Sequence, residues 1–336
     1  MRVLVTGGAG FIGANLCRAL TARPEIEAVT VLDDLSTGDL ANVAGVDVNM
    51  VKGSILERGL VAELVQDATT VVHLAARPSV PRSLEDPVAS HTVNATGTLT
   101  VLDACRTGMK HVIVASSSSV YGQSDAPCKH EDLPTRPLSP YGASKLATEA
   151  YTIAYAASFG LPVLPFRFFN VYGPLQAAGH AYAAVVPAFV SAALAGQPLP
   201  IHGDGQQARD FTFVGSVTDV LVEAAVRQVT STRPVNLAFG SRITLLRLRD
   251  ALSDVLGKPL EHESLPARRG DIRESQASAG LLRELFPRVC PVPLEDGLRR
   301  TVEWFERAIS HEPAVSPDLR FPPATNSSTH VTRGSL

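Results

Sequence analysis

The chain has 336 residues, of which 45% are hydrophobic and 19% charged, and its formal net charge is −3. This length predicts two domains, or one large domain with an elaborated end, and the apolar content suffices for a well-buried core. The charges are nearly balanced, so the chain lacks the excess of basic residues that is typical of proteins that bind nucleic acid or an anionic membrane, and neither is expected as a partner.

Cysteines and histidines are scattered along the chain. The four cysteines form no C-x-x-C pair, which predicts reduced side chains in a cytoplasmic protein and no disulfide framework. The nine histidines show no paired ligand spacing, so no metal is predicted. The opening MRVLVTGG is typical of a strand and not of a signal peptide. The most apolar stretch, residues 181–196, contains Pro187 and is too short to span a membrane, so it predicts a core helix.

Strand and helix signals alternate through the first half of the chain. Short apolar runs predict strands, and apolar residues at helical spacing predict helices. In chain order the predictions are a strand at residues 3–5, a helix at 13–21, a strand at 29–32, a helix at 61–65, a strand at 71–75, a helix at 94–106, a strand at 111–115 and a helix that opens at Ser139 and ends near residue 158. Fully apolar strands that alternate with helices predict an α/β fold with a doubly wound parallel sheet, the Rossmann arrangement.

The pattern changes after Arg167, where prolines and glycines become frequent. We predict that the following segment forms a smaller C-terminal lobe that binds the substrate and returns some of its chain to the main sheet. From Pro313 onward the chain is rich in Pro, Ser and Thr, which predicts a flexible tail. The predicted organisation is a dinucleotide-binding domain at residues 1–168, a lobe at 169–310 and a tail at 311–336.

A glycine-rich turn follows the first strand and opens the first helix. Gly7, Gly10 and Gly13 fit the spacing at which a backbone approaches a pyrophosphate closely, and the helix N-terminus then supplies free N–H groups. Twenty residues after Gly13, at the end of the second strand, stands Asp33, whose carboxylate would accept hydrogen bonds from the adenosine ribose. The same charge would repel the additional phosphate of NADP, so the predicted cofactor is NAD.

A serine run and a tyrosine–lysine pair follow the fourth apolar strand. Ser116 to Ser119 stand at the carboxyl end of that strand, where ligands sit in doubly wound sheets. Tyr141 and Lys145 are four residues apart on the next predicted helix, so they share one helix face.

These features together resemble the extended short-chain dehydrogenase/reductase family. The motifs that carry the resemblance are TGGAGFIG at residues 6–13, HLAA at 73–76, the serine run, YGASK at 141–145 and RFFNVYGP at 167–174, and the resemblance covers residues 1–305. It implies that Ser117, Tyr141 and Lys145 are catalytic. A free tyrosine titrates near ~10, so we expect the Lys145 ammonium and the cofactor to favour the phenolate of Tyr141.

The resemblance also implies a set of cofactor-binding residues. They are Gly7, Gly10, Phe11, Ile12, Gly13, Asp33, Ser54, Ile55, Leu74, Ala75, Ala76, Asn94, Ser116, Tyr141 and Lys145. Ser54 departs from the family pattern, which usually has an acid there. Asn94 could equally be an ordinary polar helix residue.

The residues after Ser117 bear on the reaction. Relatives that eliminate water or carbon dioxide carry carboxylates where this chain has Ser118 and Ser119. Without a second acid or base, the expected chemistry is oxidation at sugar carbon 4, rotation of the keto sugar and return of the hydride, which is 4-epimerisation. The alternatives left open are a UDP-glucuronate 4-epimerase, a nucleotide-sugar dehydratase or decarboxylase, and a non-catalytic NAD-binding sensor.

The substrate residues are implied by the same resemblance. Asn170, Arg209 and Arg269 match positions that contact the diphosphate, and Asp271 matches one that contacts the nucleotide ribose, although each arginine could instead be a solvated surface charge. Further expected contacts with the UDP-sugar are Ser79, Ser117, Ser118, Ser119, Tyr141, Ala184, Val185 and Ser275.

The resemblance also implies that the side chain at the position of Ser275 determines whether a bulky group on sugar carbon 2 can be accommodated. A small serine favours UDP-N-acetylglucosamine or UDP-glucose, and residues 175–180 lack the arginine that glucuronate epimerases use. The family also implies a homodimer, with the helices near residues 94–106 and 141–158 as the candidate interface.

Overall fold

The computed structural model describes residues 1–124, 126–178, 184–267 and 273–311. Its strands are β1 (Arg2–Thr6), β2 (Ala28–Asp33), β3 (Asn49–Lys52), β4 (Thr70–His73), β5 (His111–Ser117), β6 (Cys128–Lys129), β7 (Val163–Phe168), β8 (Asn170–Tyr172), β9 (Leu199–His202), β10 (Ala208–Arg209), β11 (Phe211–Phe213), β12 (Val235–Leu237), β13 (Ile243–Thr244), β14 (His262–Leu265) and β15 (Glu274–Ala277). Its α-helices are α1 (Phe11–Thr21), α2 (Arg58–Asp67), α3 (Val80–Glu85), α4 (Pro87–His91), α5 (Gly97–Thr107), α6 (Pro140–Phe159), α7 (Val185–Leu194), α8 (Val214–Arg227), α9 (Leu245–Leu256), α10 (Gly280–Leu285) and α11 (Leu294–His311).

The main sheet is parallel throughout and has seven strands in the order β12-β7-β5-β4-β1-β2-β3. The chain runs outward from β1 in both directions, so the strand order reverses between β1 and β4, and ligands bind beyond the carboxyl ends of the strands at such a point. The predicted doubly wound α/β fold is confirmed. β12, from the second half of the chain, forms one edge of this sheet.

Side chains alternate across the sheet and fill a core on each face. Val3 and Val5 of β1 pack in one cluster with residues of α1 and α8, whereas Leu4 packs in another with residues of α2 and α5. Since successive strand residues point to opposite faces, this division shows that helices cover both sides of the sheet. None of the described helices is long and apolar enough to cross a membrane.

The second lobe has its own core and smaller sheets. Phe189 of α7, Leu248 of α9 and Leu298 of α11 are buried in one cluster. A four-stranded sheet has the order β13-β10-β15-β6, so β6 from the first half of the chain crosses into this lobe. The predicted domain limits remain predictions, and almost all of the predicted tail lies outside the described residues.

Several element limits differ from the prediction. β3 was not predicted, because its exposed and half-buried residues give no apolar run. β4 ends at His73 instead of residue 75, since the chain turns to pack Ala75 over the glycine turn. The helix predicted from Asn94 begins with a π-helical turn, Thr92–Thr96, and continues as α5.

Candidate active site

A cavity of about 870 Å³ opens at the carboxyl ends of β1, β2, β4 and β5. It joins the glycine turn to the serine run and to the first turns of α6 without interruption. The predicted residues that line it are Gly7, Gly10, Phe11, Ile12, Gly13, Asp33, Ile55, Leu74, Ala75, Ala76, Ser79, Ser116, Ser117, Tyr141, Lys145, Asn170 and Ala184. The structure therefore brings both predicted sites together at the topological switch point.

The glycine turn can accept a group that approaches its backbone. Gly7 has φ +73°, and a Cβ atom there would lie 2.7 Å from the backbone nitrogen of Ala75. At Gly13, a Cβ atom would lie 2.1 Å from the carbonyl oxygen of Gly7. Gly10 is the N-cap of α1 and none of the described side chains caps the helix, so its first N–H groups face the cavity, where an anion such as a pyrophosphate is stabilised.

Asp33 closes the other side of this turn. Its carboxylate accepts hydrogen bonds from the backbone N–H of Ala9 at 2.9 Å and of Leu35 at 2.8 Å. Burial raises the pKa of the Asp33 carboxyl, and the two backbone bonds oppose the change. The carboxylate is thus held at the cavity wall, where it can accept bonds from ribose hydroxyls and disfavour a phosphate.

The segment after β2 was missed by the sequence analysis. Ser36, Thr37, Gly38, Asp39 and Asn42 all line the cavity. Asn42 donates through Nδ2 to the carbonyl of Ala9 at 2.9 Å, which ties this segment to the glycine turn. The signal that could have found it is the S-T-G-D turn at residues 36–39.

The start of α6 places two of the residues predicted to be catalytic, Tyr141 and Lys145. Ser139 caps this helix by accepting from the backbone N–H of Gly142 at 3.1 Å, and Pro140 follows at the first helical position. Lys145 is buried, and its Nζ donates to the carbonyl of Ala115 at 2.8 Å. Because Ala115 precedes Ser116 and Ser117 on β5, this bond fixes the lysine against the strand that carries the serines.

Burial shifts the pKa of both Lys145 and Tyr141. Burial lowers the pKa of Lys145 to about 8. Burial also raises the pKa of the Tyr141 phenol, and the neighbouring Ser117 hydroxyl partly offsets this. The Nζ of Lys145 is directed to the Ala115 carbonyl.

A buried ion pair lies beneath the catalytic helix. Glu149 of α6 forms a salt bridge with Arg167 of β7 at 2.6 Å and accepts a bond from Ser116 Oγ at 3.1 Å. Arg167 also stacks over the ring of Tyr121, with its guanidinium carbon 4.6 Å from the ring centroid. Both ionisable groups of this pair are therefore committed to partners within the protein.

Two predicted cofactor residues do not line the cavity. Asn94 is fully buried: its Oδ1 accepts from the backbone N–H of Arg77 at 2.7 Å, and its Nδ2 donates to Ser144 Oγ at 2.9 Å. It therefore holds the segment after β4 against α6. Ser54 instead begins the turn into α2 and donates its backbone N–H to Glu57 at 2.8 Å. A direct contact of either residue with the cofactor stays a prediction.

The predicted substrate residues are only partly assembled. Ser118 and Ser119 lie in a short 3-10 turn behind Ser117, which accepts from the backbone N–H of Ser119 at 3.1 Å. Arg209 and Ser275 are register partners on neighbouring strands, β10 and β15, although neither lines the cavity. Val185 is the first residue of α7, next to the cavity residue Ala184. Arg269 and Asp271 lie outside the described residues.

Other residues that line the cavity were not among the site residues predicted from the sequence. Arg82 lies on α3, Leu175 and Gln176 follow β8, and Trp304 lies on α11. These side chains come from three separate parts of the chain, and only the fold brings them to one cavity.

Comparison with known proteins agrees with this geometry. A family model described as "NAD dependent epimerase/dehydratase family" matches residues 3–238. The chain belongs to this family. The resemblance predicted from the motifs is thus confirmed, and NAD is the cofactor of this family of enzymes.

Relatives within the NAD dependent epimerase/dehydratase family span nearly the whole chain. UDP-glucose 4-epimerase of Mycolicibacterium smegmatis is 38% identical, over 91% of this chain and 98% of its own length. UDP-N-acetyl-alpha-D-glucosaminuronate decarboxylase of Bacillus cytotoxicus is 31% identical, over 90% of this chain and 97% of its own. The solved UDP-N-acetylglucosamine 4-epimerase from Methanobrevibacter ruminantium, in complex with UDP-N-acetylmuramic acid, is 34% identical, with a TM-score of 0.86 and coverage of 91% and 98%.

Proposed function

We propose that the protein catalyses NAD-dependent 4-epimerisation of a UDP-hexose, either UDP-N-acetylglucosamine or UDP-glucose and its 4-epimer. One observation carries the proposal: Ser117, Tyr141 and Lys145 share a single cavity with the glycine turn. The relatives described above, two of which are named as 4-epimerases, support the same reaction class.

Each residue of the site has its own proposed role in cofactor binding or in the reaction. Gly7, Gly13 and the N-terminus of α1 would hold the pyrophosphate of NAD, and Asp33 would accept from its adenosine ribose. Bound NAD would supply the hydride acceptor for sugar carbon 4, and its positive charge would favour the phenolate of Tyr141. The Tyr141 phenolate would then take the proton from the 4-hydroxyl and give it back, while Ser117 holds the oxygen of that hydroxyl. Lys145, fixed by the Ala115 carbonyl, places a positive charge beside the reacting groups.

The distribution of carboxylates favours epimerisation over the alternatives. Among the described residues that line the cavity, the acids are Asp33, which ends β2, and Asp34 and Asp39, which follow it, all at the proposed adenosine end. Glu149, which lies near Ser116, is bound to Arg167 and is buried. Elimination of water requires an acid or base to move a second proton, and this arrangement offers none beside Ser117.

The sugar is inferred from the size of the residues around it. Ser275 is small, which leaves space for an N-acetyl group, and it stands beside Arg209, a candidate for the diphosphate. Leu175 and Gln176, which line the cavity, occupy the loop where a carboxylate-binding arginine would be needed for a glucuronate. UDP-N-acetylglucosamine and UDP-glucose are therefore the proposed substrates, with Asn170 as a further contact.

We also propose a homodimer in the cytoplasm. The outer face of α6 carries small and aromatic exposed residues, among them Ala143, Ala150, Tyr151 and Ala154, which suits close packing against a second copy. All four cysteines are free thiols, which is typical of a reducing compartment. Size-exclusion chromatography with light scattering tests the dimer.

The test of function uses purified protein and no added NAD. UDP-glucose, UDP-N-acetylglucosamine and UDP-glucuronate are each incubated with it, and products are separated by chromatography with mass detection. An isomer of unchanged mass from either of the first two supports the proposal, and an isomer from glucuronate alone changes the substrate. Products lighter by water or carbon dioxide, or turnover only while external NAD is consumed, contradict it. Binding of NAD with no turnover of any sugar would favour a sensor.

A further inference from the structure

A buried histidine that the mechanism does not use lies between the cofactor turn and the catalytic helix. His73 is the last residue of β4 and is 3% exposed. Its Nδ1 lies 2.7 Å from Thr6 Oγ1, and its Nε2 lies 3.0 Å from Thr98 Oγ1. Thr6 directly precedes Gly7, and Thr98 belongs to α5.

The surrounding bonds determine which ring nitrogen carries the proton. The hydroxyl of Thr98 donates to the carbonyl of Asn94, so towards His73 it acts as the acceptor. Nε2 is then the N–H donor to Thr98, and Nδ1 accepts from the hydroxyl of Thr6. Thr6 Oγ1 in turn accepts from the backbone N–H of Ala75 at 3.3 Å. With a single ring proton, these bonds are mutually consistent.

A charged ring would break this arrangement. A proton on Nδ1 would face Thr6 Oγ1, whose own proton would lose its acceptor. Burial, together with the nearby Lys145 ammonium, lowers the pKa of His73 to about 3. His73 is therefore a neutral connector and not an acid or base.

The connection continues into the catalytic helix. Thr98 and Thr148 both donate through Oγ1 to the carbonyl of Asn94, at 2.5 and 2.8 Å, and Thr148 stands three residues after Lys145 on α6. At the other end, Thr6 leads into Gly7, where the backbone packs against Ala75. A continuous series of hydrogen bonds, which passes through the Asn94 carbonyl, thus runs from the turn that approaches the cofactor to the helix that carries Tyr141 and Lys145.

We propose that His73 is a positioning residue that fixes the distance between the NAD-binding turn and the catalytic helix, an inference that rests on the proposed function for its catalytic readout. The ring sets the separation through rigid geometry. A displacement of about 1 Å between hydride carrier and proton acceptor costs on the order of 100-fold in rate, so the connection bears directly on turnover.

The chain offers a matched control for this proposal. His111 is also buried in the main sheet, on the adjacent strand β5, and it bonds the carbonyl of Val229 at 2.9 Å. It is the first residue of β5, so it lies at the amino-terminal end of the strand, whereas the cavity lies at the carboxyl end. Loss of its ring bonds affects the sheet without touching the link between turn and helix.

The experiment compares His73→Phe, His111→Phe and the nearly isosteric Thr98→Val. We measure the Kd of NAD on NAD-stripped protein by calorimetry, kcat and KM for the UDP-sugar, and the thermal midpoint. His73→Phe should weaken NAD binding and lower kcat, each at least about 10-fold, with KM for the sugar within about 2-fold. His111→Phe should lower the thermal midpoint but keep the Kd of NAD and kcat within about 2-fold.

Equal thermal losses in both histidine variants, with NAD affinity and kcat retained in both, would overturn the proposal. Like His73→Phe, Thr98→Val should raise the Kd of NAD and lower kcat, each by about 3-fold or more. If His73→Phe does not fold, Thr98→Val provides the test of the proposal. Absence of turnover in the wild-type protein contradicts the proposed function alone, because the NAD affinities still test the role of His73.

Discussion

Arg167 holds Glu149 by two charge-assisted hydrogen bonds, Nε to Oε2 at 2.9 Å and Nη2 to Oε1 at 2.6 Å, and the two side chains are 3% and 4% exposed. Since Glu149 also accepts from Ser116, the pair joins β7, β5 and α6 directly behind the catalytic serine. A pair this deep depends on both partners, because either charge alone would be buried without compensation.

Glu149→Gln should therefore destabilise the protein severely. It leaves the Arg167 guanidinium buried without a counter-charge, and the expected loss in the free energy of unfolding is about 3–5 kcal/mol, measured by urea denaturation. The double variant Glu149→Leu/Arg167→Met removes both charges and should recover part of that loss. A double variant less stable than the single one would contradict this explanation.

A surface pair provides the comparison. Arg299 and Asp296 form a 2.6 Å salt bridge on α11, with side chains 56% and 47% exposed. Arg299→Gln should change the free energy of unfolding by less than about 1 kcal/mol, because solvent screens the pair. The contrast between the two variants isolates the effect of burial from that of charge.

Gly13→Ala should abolish NAD binding. The added methyl group would lie 2.1 Å from the carbonyl oxygen of Gly7, so the glycine turn must open to admit it. Gly59→Ala is the control: nothing lies within 4 Å of a Cβ there, and the residue is inside α2. It should leave NAD binding unchanged and stabilise the helix by roughly 0.5–1 kcal/mol. Calorimetric titration with NAD distinguishes the two.

Much of the main sheet could be predicted from local pattern alone. The strands beside β1 are buried on both faces, so their sequences are apolar runs that stand out against polar helices. β3 escaped prediction because it is an edge strand whose Asn49 and Lys52 are exposed. The premature end of β4 likewise depends on a tertiary contact, the packing of Ala75 over Gly7, that no local pattern records.

The site was predictable where its residues are close in sequence or belong to a motif. Tyr141 and Lys145 share a helix face by spacing alone, and Ser117 stands at a strand end. Arg82 and Trp304 could not be assigned to the cavity, because their helices reach it only through packing of the whole fold. Spacing also cannot show that Lys145 Nζ is directed to the Ala115 carbonyl.

Tyr141→Phe should lower kcat by about 10²–10⁴-fold, because the variant lacks the hydroxyl that exchanges a proton with the sugar. The ring itself remains, so the Kd of the UDP-sugar should change by less than about 3-fold. Tyr151→Phe, on the same helix but 42% exposed, should leave both values unchanged. Steady-state kinetics and calorimetry check the pair, and a fully active Tyr141→Phe would refute the assigned role.

Ser275→Tyr should make the enzyme less active on the N-acetylated sugar than on UDP-glucose. A bulky side chain at this position would occupy the space proposed for an N-acetyl group, so kcat/KM for UDP-N-acetylglucosamine should fall relative to UDP-glucose by about 10–200-fold. Ser264→Tyr, at an exposed position of β14, should leave the ratio unchanged. Equal losses for both sugars in Ser275→Tyr would show that the residue does not discriminate between them.

The stability of the NAD-free protein should depend on pH through Lys145. Burial lowers the pKa of this lysine from 10.5 in the unfolded chain to about 8 in the folded protein. Between these values the unfolded chain binds more protons, so the free energy of unfolding rises with pH across this window. Below the window, Lys145 is protonated in both states and its contribution does not change with pH.

Lys145→Met lacks that contribution, so the difference between wild type and variant isolates it. Because one pKa unit corresponds to 1.36 kcal/mol, the wild type should gain roughly 3 kcal/mol relative to the variant between about pH 8 and pH 10.5. His73 titrates far below this range and contributes nothing to it. Urea unfolding of both proteins at intervals from pH 7 to pH 10 measures the rising part of this gain. A difference that stays constant over that range would mean that Lys145 is not desolvated in the folded protein.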